Sequence, residues 1–527
     1  MKQIKILDCT LRDGGYVNSW NFGEKNIKFI INHLVKTGID YIECGFLKKN
    51  TYDKDKSLFH TFKELESYLP EQSNSIYTLM VNFGEIPIED FPMYSGNIHL
   101  RIAFKRERAE EALDYCRQLK EKGYKIFINP MNSKTYSDKE FLNVIERVNS
   151  IKPEAFAIVD TTGEMKEREI LSLFCLIENN LDETIPLCFH SHNNLQLSFS
   201  NAQILMKQIT KRDIIIDSTV FGMGRGAGNL CSELLVGYIN DNYEQKYDIL
   251  PILKIMDEVI NPIFARTPWG YSVPYYLASI NHCHPNYAKY LAEKQTIPVE
   301  IINKLLELVP PDKKSTYSEE LIKKIYLDNF SNKVEDKKLL EEVYNMIKDR
   351  DILILAPGKS LEREYEKIKD YIEKNNPFII SLNFIPEKFK EDAAFVTNIK
   401  RYSNITKPHG KLVVTSNVLT SSDDAIILDY STYINNSKMF DNTALMLIKL
   451  FIKIGIKSVN FAGLDGFSSI NSENYFDNNL VNSSKVEEFE ARNTAISKTL
   501  RKYSKFIKMN FVTATNYEIY NKSLIAL

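Results

Sequence analysis

Along the first part of the chain, short runs of apolar and β-branched residues alternate with longer stretches whose apolar positions recur three and four apart. The runs Ile4–Cys9, Tyr41–Cys44, Ile76–Val81, Ile98–Ala103, Lys125–Asn129, Ala155–Val159, Leu187–Ser191 and Ile214–Thr219 predict strands. Asn26–Lys36, Arg108–Lys122, Asp138–Val148, Glu167–Glu178 and Leu195–Lys207 predict helices. Eight strand–helix units in succession predict an α/β fold of the (β/α)8 TIM-barrel type over residues 1–245. An open doubly wound sheet shares the alternation, but no glycine-rich turn follows the first strand.

From 246 to 348 the pattern becomes purely helical. Val299–Leu308, Ser318–Leu327 and Lys337–Ile347 predict helices, with Pro310-Pro311 breaking between the first two. A second α/β pattern fills 349–527, with a strand that enters a glycine turn predicted in the opening Asp351–Leu361 run, further strands at Phe378–Leu382, Lys411–Thr415, Ala425–Leu428 and Ser458–Ala462, and a helix at Asn442–Ile454. This reads as a Rossmann-like domain.

Composition narrows the class. With 527 residues, 44% hydrophobic and 26% charged, the chain is globular and long enough for two to four domains. A net charge of −2 with interspersed signs leaves no footprint for nucleic acid or an anionic membrane. No apolar run is long enough to span a bilayer and Met1–Lys5 leads straight into a strand, so a cytoplasmic location is expected. Seven cysteines without a C-x-x-C pair point to reduced, buried thiols.

The candidate chemistry starts from His190-Ser191-His192-Asn193-Asn194. Residues two apart on a strand share a face, so His190 and His192 can present two imidazoles to one point. A hard divalent cation also needs oxygen, and Asp13, just beyond the first strand, is the obvious carboxylate. Glu43 and Asn129 stand at other strand ends, where a barrel keeps its reactive groups. The loop Gly222–Asn229 follows the eighth strand, and Gly224 and Gly226 there allow close backbone approach to a substrate.

The runs LDCTLRDGGY, HSHNN and GMGRGAGN, in this order, resemble the DRE-TIM metallolyase superfamily over about residues 3 to 290. That group includes the 4-hydroxy-2-oxovalerate aldolases, the hydroxymethylglutaryl-CoA lyases and the 2-isopropylmalate and homocitrate synthases. The resemblance implies Asp13, His190 and His192 as metal ligands, with Asn229 a fourth contact, and Arg12 as the residue that steadies enolate charge. The implied cofactor is Mn2+ or Mg2+, with Co2+ or Zn2+ as alternatives. The implied reaction makes or breaks a 4-hydroxy-2-oxo acid through a pyruvate enolate, with a 2-oxo acid and an aldehyde as small-molecule partners and a homodimer as the assembly. Two departures matter. Tyr16 stands where the aldolases carry a histidine base, leaving Tyr16, a metal-bound water, Asp8 or Glu43 for that role. The glycine-rich loop lacks the catalytic cysteine of the CoA lyases, and Cys231 falls just outside it. Tyr271 matches the tyrosine that the aldolases send back into the mouth, while His282-Cys283-His284 is assigned to packing. An acyl-CoA-dependent Claisen-type synthase or lyase is the alternative enzyme, and a barrel retained as a binding scaffold is the alternative of another class.

In the C-terminal part, the turn Gly358-Lys359-Ser360 between a strand and a helix is a weak phosphate-binding crook. Its LAPGKSL opening and the segment IGIKSVNFAGLDGF distantly resemble the sialyltransferase-like fold of bacterial surface-glycan enzymes. That resemblance implies nucleotide or sugar-phosphate binding and a carbohydrate pathway. The histidine base of those transferases has no counterpart, since His409 is the only histidine beyond 284.

Overall fold

The computed structural model describes residues 2–49, 52–294, 296–330, 337–405, 408–434, 441–470, 473–477 and 486–517. Contacts divide the chain into two compact units: residues 1–289 with 312–317, and residues 290–311 with 318–527. The stretch 246–348, expected as one helical extension, is thus shared between them. Helices Leu250–Ile255 and Asn261–Arg266 belong to the first unit, and Val299–Glu307, Glu319–Phe330 and Lys337–Ile347 to the second.

The first unit is a parallel barrel. Its strands are β1 Ile4–Asp8, β2 Tyr41–Leu47, β3 Ile76–Asn82, β4 His99–Phe104, β5 Ile126–Pro130, β6 Ala155–Asp160, β7 Leu187–Ser191 and β8 Ile214–Ser218. β1 pairs with β8 on one side and β2 on the other, which closes the ring. The two-residue strand Leu58–Phe59 adds to the end of β2.

Strand periodicity sorts the side chains. On β8, Ile214 and Ile216 pack outward under the helices, while Ile215 joins Leu7, Phe127 and Cys188 inside the barrel. On β7 the same alternation sends Leu187 and Phe189 outward and Cys188 inward. His190, two residues on, therefore faces the interior. The outer layer includes Glu24–Thr37, Ala109–Glu121, Asp138–Ile151, Glu167–Asn180, Ser198–Lys207 and Ser232–Asn242. Two units are abbreviated: only Phe62–Glu66 is α-helical between β2 and β3, and a 3-10 turn, Ile88–Asp90, links β3 to β4. The cysteines are free thiols; Cys175 is exposed, against expectation, because it lies on the outer face of its helix.

The second unit holds an open, all-parallel sheet of seven strands: β9 Ile352–Leu355, β10 Phe378–Leu382, β11 Ala393–Val396, β12 Lys411–Thr415, β13 Ile426–Leu428, β14 Ser458–Ala462 and β15 Lys508–Phe511. Their order is β13-β12-β11-β10-β9-β14-β15, so the winding reverses between β9 and β14. In such sheets ligands bind outside the carboxyl ends at the reversal. Both motifs singled out in the sequence, Gly358–Ser360 and Gly463–Gly466, follow those two strands. No helix among the described residues is long and apolar enough to cross a membrane.

Candidate active site

At the carboxyl end of the barrel, Arg12, Asp13, Tyr16, Asn82, Asn129, Thr161, His190, His192 and Arg225 line one cavity together with Phe46, Met80, Ala103, Met131 and Val159. It offers about 60 Å3 to water-sized occupants. The sequence places Asp13, His190 and His192 together, and so does the fold: one donor atom from each lies within 4.8 Å of the others, and all three side chains are buried.

Each ligand candidate is held in a definite state. His190 Nδ1 lies 2.9 Å from Asp217, whose carboxylate accepts its N–H, and Nε2 is turned toward Asp13, 3.5 Å away. A histidine fixed through one ring nitrogen so that the other is free is the usual arrangement of a metal ligand. Burial alone would lower the His190 pKa, but its bonds to Asp13 and Asp217 outweigh that and raise it. Burial pushes His192 down to about 3, so its imidazole is neutral. Burial would raise the Asp13 carboxyl, yet Arg12 and the two histidines hold it well below the ordinary range. Asn229 donates to Asp13 Oδ1 at 3.1 Å and to the Met223 carbonyl at 3.0 Å, while its own Oδ1 is buried without a partner. Two imidazoles, a carboxylate and an orphaned amide oxygen fit a divalent cation. A rival cluster of Cys9, His190 and Asp217 fits poorly: burial holds the Cys9 thiol protonated, and it donates to Ser218 O at 3.3 Å.

Arg12 bonds Asp13 through Nη1 and donates Nε to Glu43 at 2.7 Å, while Nη2 is buried with no partner. Glu43, read from sequence as a substrate contact, instead receives two guanidinium groups, Arg12 and Arg101, the latter at 3.0 Å. Arg101 continues to Asp217 at 2.6 Å. Glu43 therefore anchors Arg12 and is no free base. The chain Arg12–Glu43–Arg101–Asp217–His190 was not visible in the sequence, because Arg101 and Asp217 look like isolated charges in apolar strands. Asp8 also serves structure: it accepts Thr10 N and Ser232 Oγ, each at 2.9 Å.

The other expected residues divide. Asn129 lines the cavity with its Oδ1 unpartnered. Tyr16 lines it too, but burial raises its phenol above 10, which makes it a proton donor at neutral pH. Gly224 and Gly226 do not open space for a ligand. A Cβ at Gly224 would sit 2.3 Å from Asn229 Nδ2, and Gly226, at φ +70°, has Asn194 Oδ1 2.7 Å from its Cβ position. These glycines let the loop clamp the two asparagines, and Asn194 in turn ties Ala227 N to the Thr162 carbonyl. Tyr271 is 57% exposed, touches the Tyr276 ring and does not line the cavity. Cys231 is no nucleophile, its thiol being pushed up to about 12 by burial.

Residues 91–259 match the family model described as HMGL-like. Over that stretch the barrel is similar to the HMGL-like proteins. A 4-hydroxy-2-oxovalerate aldolase from Bacillus thuringiensis is 24% identical over 268 residues, covering 50% of this chain and 77% of that protein. An oxaloacetate decarboxylase from Mycobacterium tuberculosis is 22% identical over 274 residues, covering 51% and 79%. The crystal structure of an HMG-CoA lyase from Bacillus subtilis is similar over 50% of this chain and 93% of its own, at 14% identity and a TM-score of 0.41. The curated relatives that the barrel resembles are thus named as an aldolase and a decarboxylase.

Outside the barrel, the Gly358–Ser360 crook is already filled. Ser360 N donates to Asp465 Oδ2 at 2.8 Å, and its hydroxyl meets Asp465 Oδ1 and Thr513 Oγ1. Lys359 pairs with Glu362 at 3.0 Å. A carboxylate of the chain itself occupies the place expected for a phosphate.

Proposed function

We propose that the barrel is a divalent-metal-dependent aldolase that makes or breaks the carbon–carbon bond of a 4-hydroxy-2-oxo acid by way of pyruvate enolate. The observation that carries this reading is the Asp13, His190 and His192 cluster beside the unpartnered Nη2 of Arg12. Asp13, His190 and His192, with Asn229 Oδ1, would hold the cation, Mn2+ or Mg2+ on this mixed donor set. When bound, such a cation supplies Lewis-acid polarisation of a 2-oxo acid.

The chain's own groups do the rest. Arg12, its charge balanced by Glu43 and Asp13, directs Nη2 at the oxygen on which enolate charge develops. Asn129 Oδ1 accepts a hydrogen bond from a substrate hydroxyl. Tyr16, protonated, donates to the oxygen at the carbon where the bond is made. The phenyl and thioether walls of Phe46 and Met80 limit water around these groups. The oxaloacetate decarboxylase relative passes through the same kind of three-carbon fragment, so decarboxylation of oxaloacetate is the second reading. The C-terminal resemblance to surface-glycan enzymes supports an aldehyde that belongs to a carbohydrate pathway.

The test uses the full chain with Mn2+ and pyruvate in deuterated water. Loss of the pyruvate methyl-proton signal, abolished in Asp13→Ala, is expected; no exchange above the protein-free rate overturns the reading. Carbon dioxide release from oxaloacetate, compared with aldol addition to an aldehyde, separates the two enzymatic outcomes.

A further inference from the structure

Arg225 shares the cavity with Asp13, His190 and His192, in the loop that follows β8. Its guanidinium lies over the ring of Tyr16, 5.0 Å from the centroid. That ring is itself fixed edge-on by Trp20 at 4.8 Å and Phe46 at 6.2 Å. An aromatic face attracts and orients a cation without neutralising it. The contrast with the two arginines deeper in the barrel is direct. Arg12 is paired with Asp13 and Glu43, and Arg101 with Glu43 and Asp217. Among the described residues, no carboxylate stands within ion-pair distance of Arg225.

The surroundings carry the same sign. His284, assigned to packing from the sequence, accepts Asn286 N–H on Nδ1 at 3.2 Å, so its proton is on Nε2 and the ring is a neutral donor. Its ring stacks on Tyr317 at 6.0 Å. The charged side chains that act on it, Arg225 and Lys105, are both cationic. Lys105 Nζ donates to the Thr316 hydroxyl at 3.1 Å and is not taken by a carboxylate. Glu85, the acid on the Tyr16 side, is engaged by Lys48 at 3.6 Å and by Asn82 at 3.0 Å. One end of the cavity, with Arg12, answers the carboxylate of a 2-oxo acid. The same cavity holds a second cation, Arg225, that no carboxylate among the described residues pairs.

We propose that Arg225, carried on Tyr16, is a second anion subsite beside that of Arg12, so that the aldehyde partner bears a carboxylate or phosphate in addition to its carbonyl. This rests on the aldolase reading and adds the substrate class to it. It also gives Tyr16 a task that suits a phenol better than base catalysis does.

The experiment measures kcat/KM of the Mn2+-loaded full chain for addition of pyruvate to propanal, succinic semialdehyde and glyceraldehyde 3-phosphate. The first aldehyde is neutral, the second tests carboxylate and the third phosphate. At least one anionic aldehyde should exceed propanal by about 30-fold or more, the worth of one charge-assisted contact. In Arg225→Met that ratio should fall by about the same factor, mainly through KM, with partial retention in Arg225→Lys. Equal use of all three aldehydes by the wild type overturns the subsite, as does an Arg225→Met variant that loses all three alike. Methyl-proton exchange in pyruvate alone tells the two failures apart: without exchange the aldolase reading falls and this inference with it, whereas exchange without anion preference removes only the subsite.

Discussion

At the carboxyl end of the barrel strands, several buried polar atoms, Arg12 Nη2, Glu43 Oε1, Asn129 Oδ1 and Asn229 Oδ1 among them, have no partner; at the turn after β9 of the open sheet, the Ser360 N–H and hydroxyl are held by Asp465 and Thr513. Both regions obey one topological rule, that loops at strand ends build sites in parallel sheets. They differ in what the fold leaves undone. A buried donor or acceptor without a partner costs about 1–3 kcal/mol, so the barrel mouth is a place where the protein is less stable than it could be until something binds. The crook in the second unit carries no such deficit. A glycine turn between strand and helix announces a backbone shape, and only unmet hydrogen bonds announce a ligand.

The largest test of that contrast removes the donors. Asp13→Ala or His192→Ala should lower turnover by about 10^3-fold or more, with circular dichroism of the wild-type form. Added Mn2+ should raise the Tm of the wild type and leave that of either variant unchanged, since a ligand that binds only the folded state stabilises it by mass action. Full activity in both variants would erase the distinction between the two regions.

A smaller effect is expected at the crook. Asp465→Ala removes the acceptor of Ser360 N–H and should destabilise the second unit by about 1–3 kcal/mol, read by urea unfolding, with turnover at the barrel unaffected. Tight phosphate binding by the variant and not by the wild type would show the crook to be a site that Asp465 occludes. The smallest effect comes from His99 on β4, buried with Nδ1 unpartnered and pushed down to about 4, first by burial and then by Lys125. Its folded pKa lies below the ordinary 6.5, so its contribution to stability is complete above pH 6.5 and is lost as pH falls toward 4. His99→Gln should therefore lose less stability than the wild type between pH 7 and pH 4, by on the order of 1–3 kcal/mol in chemical denaturation.

Much of this was legible in the residues, for reasons that can be named. The eight barrel strands are largely buried runs, and period two along the HSH segment already brought His190 and His192 to one point. Strands β11 and β15 were missed because Ala393–Val396 opens on two alanines, which are weak strand formers, and Lys508–Phe511 interrupts its apolar residues with Lys508 and Asn510. The ion network of Glu43, Arg101 and Asp217 was missed for a different reason: its members come from β2, β4 and β8, and their pairing exists only once the ring closes. Arg225 was read only as part of the glycine-rich loop, and His284 as packing, because the groups that surround them, Tyr16 for Arg225 and Tyr317 for His284, lie far away in sequence. Tyr271 illustrates the opposite error, a motif whose surroundings keep it at the surface.

The return of residues 312–317 to the barrel unit has a practical consequence for dissection of the protein. Lys314 O receives the N–H of His284 at 2.7 Å, and the Lys313 and Thr316 carbonyls receive the Tyr287 hydroxyl at 3.2 and 2.8 Å. A fragment cut after residue 289 would leave out part of the first compact unit and strip the His284 N–H and the Tyr287 hydroxyl of their acceptors. Any truncation meant to keep those bonds has to run at least as far as Tyr317.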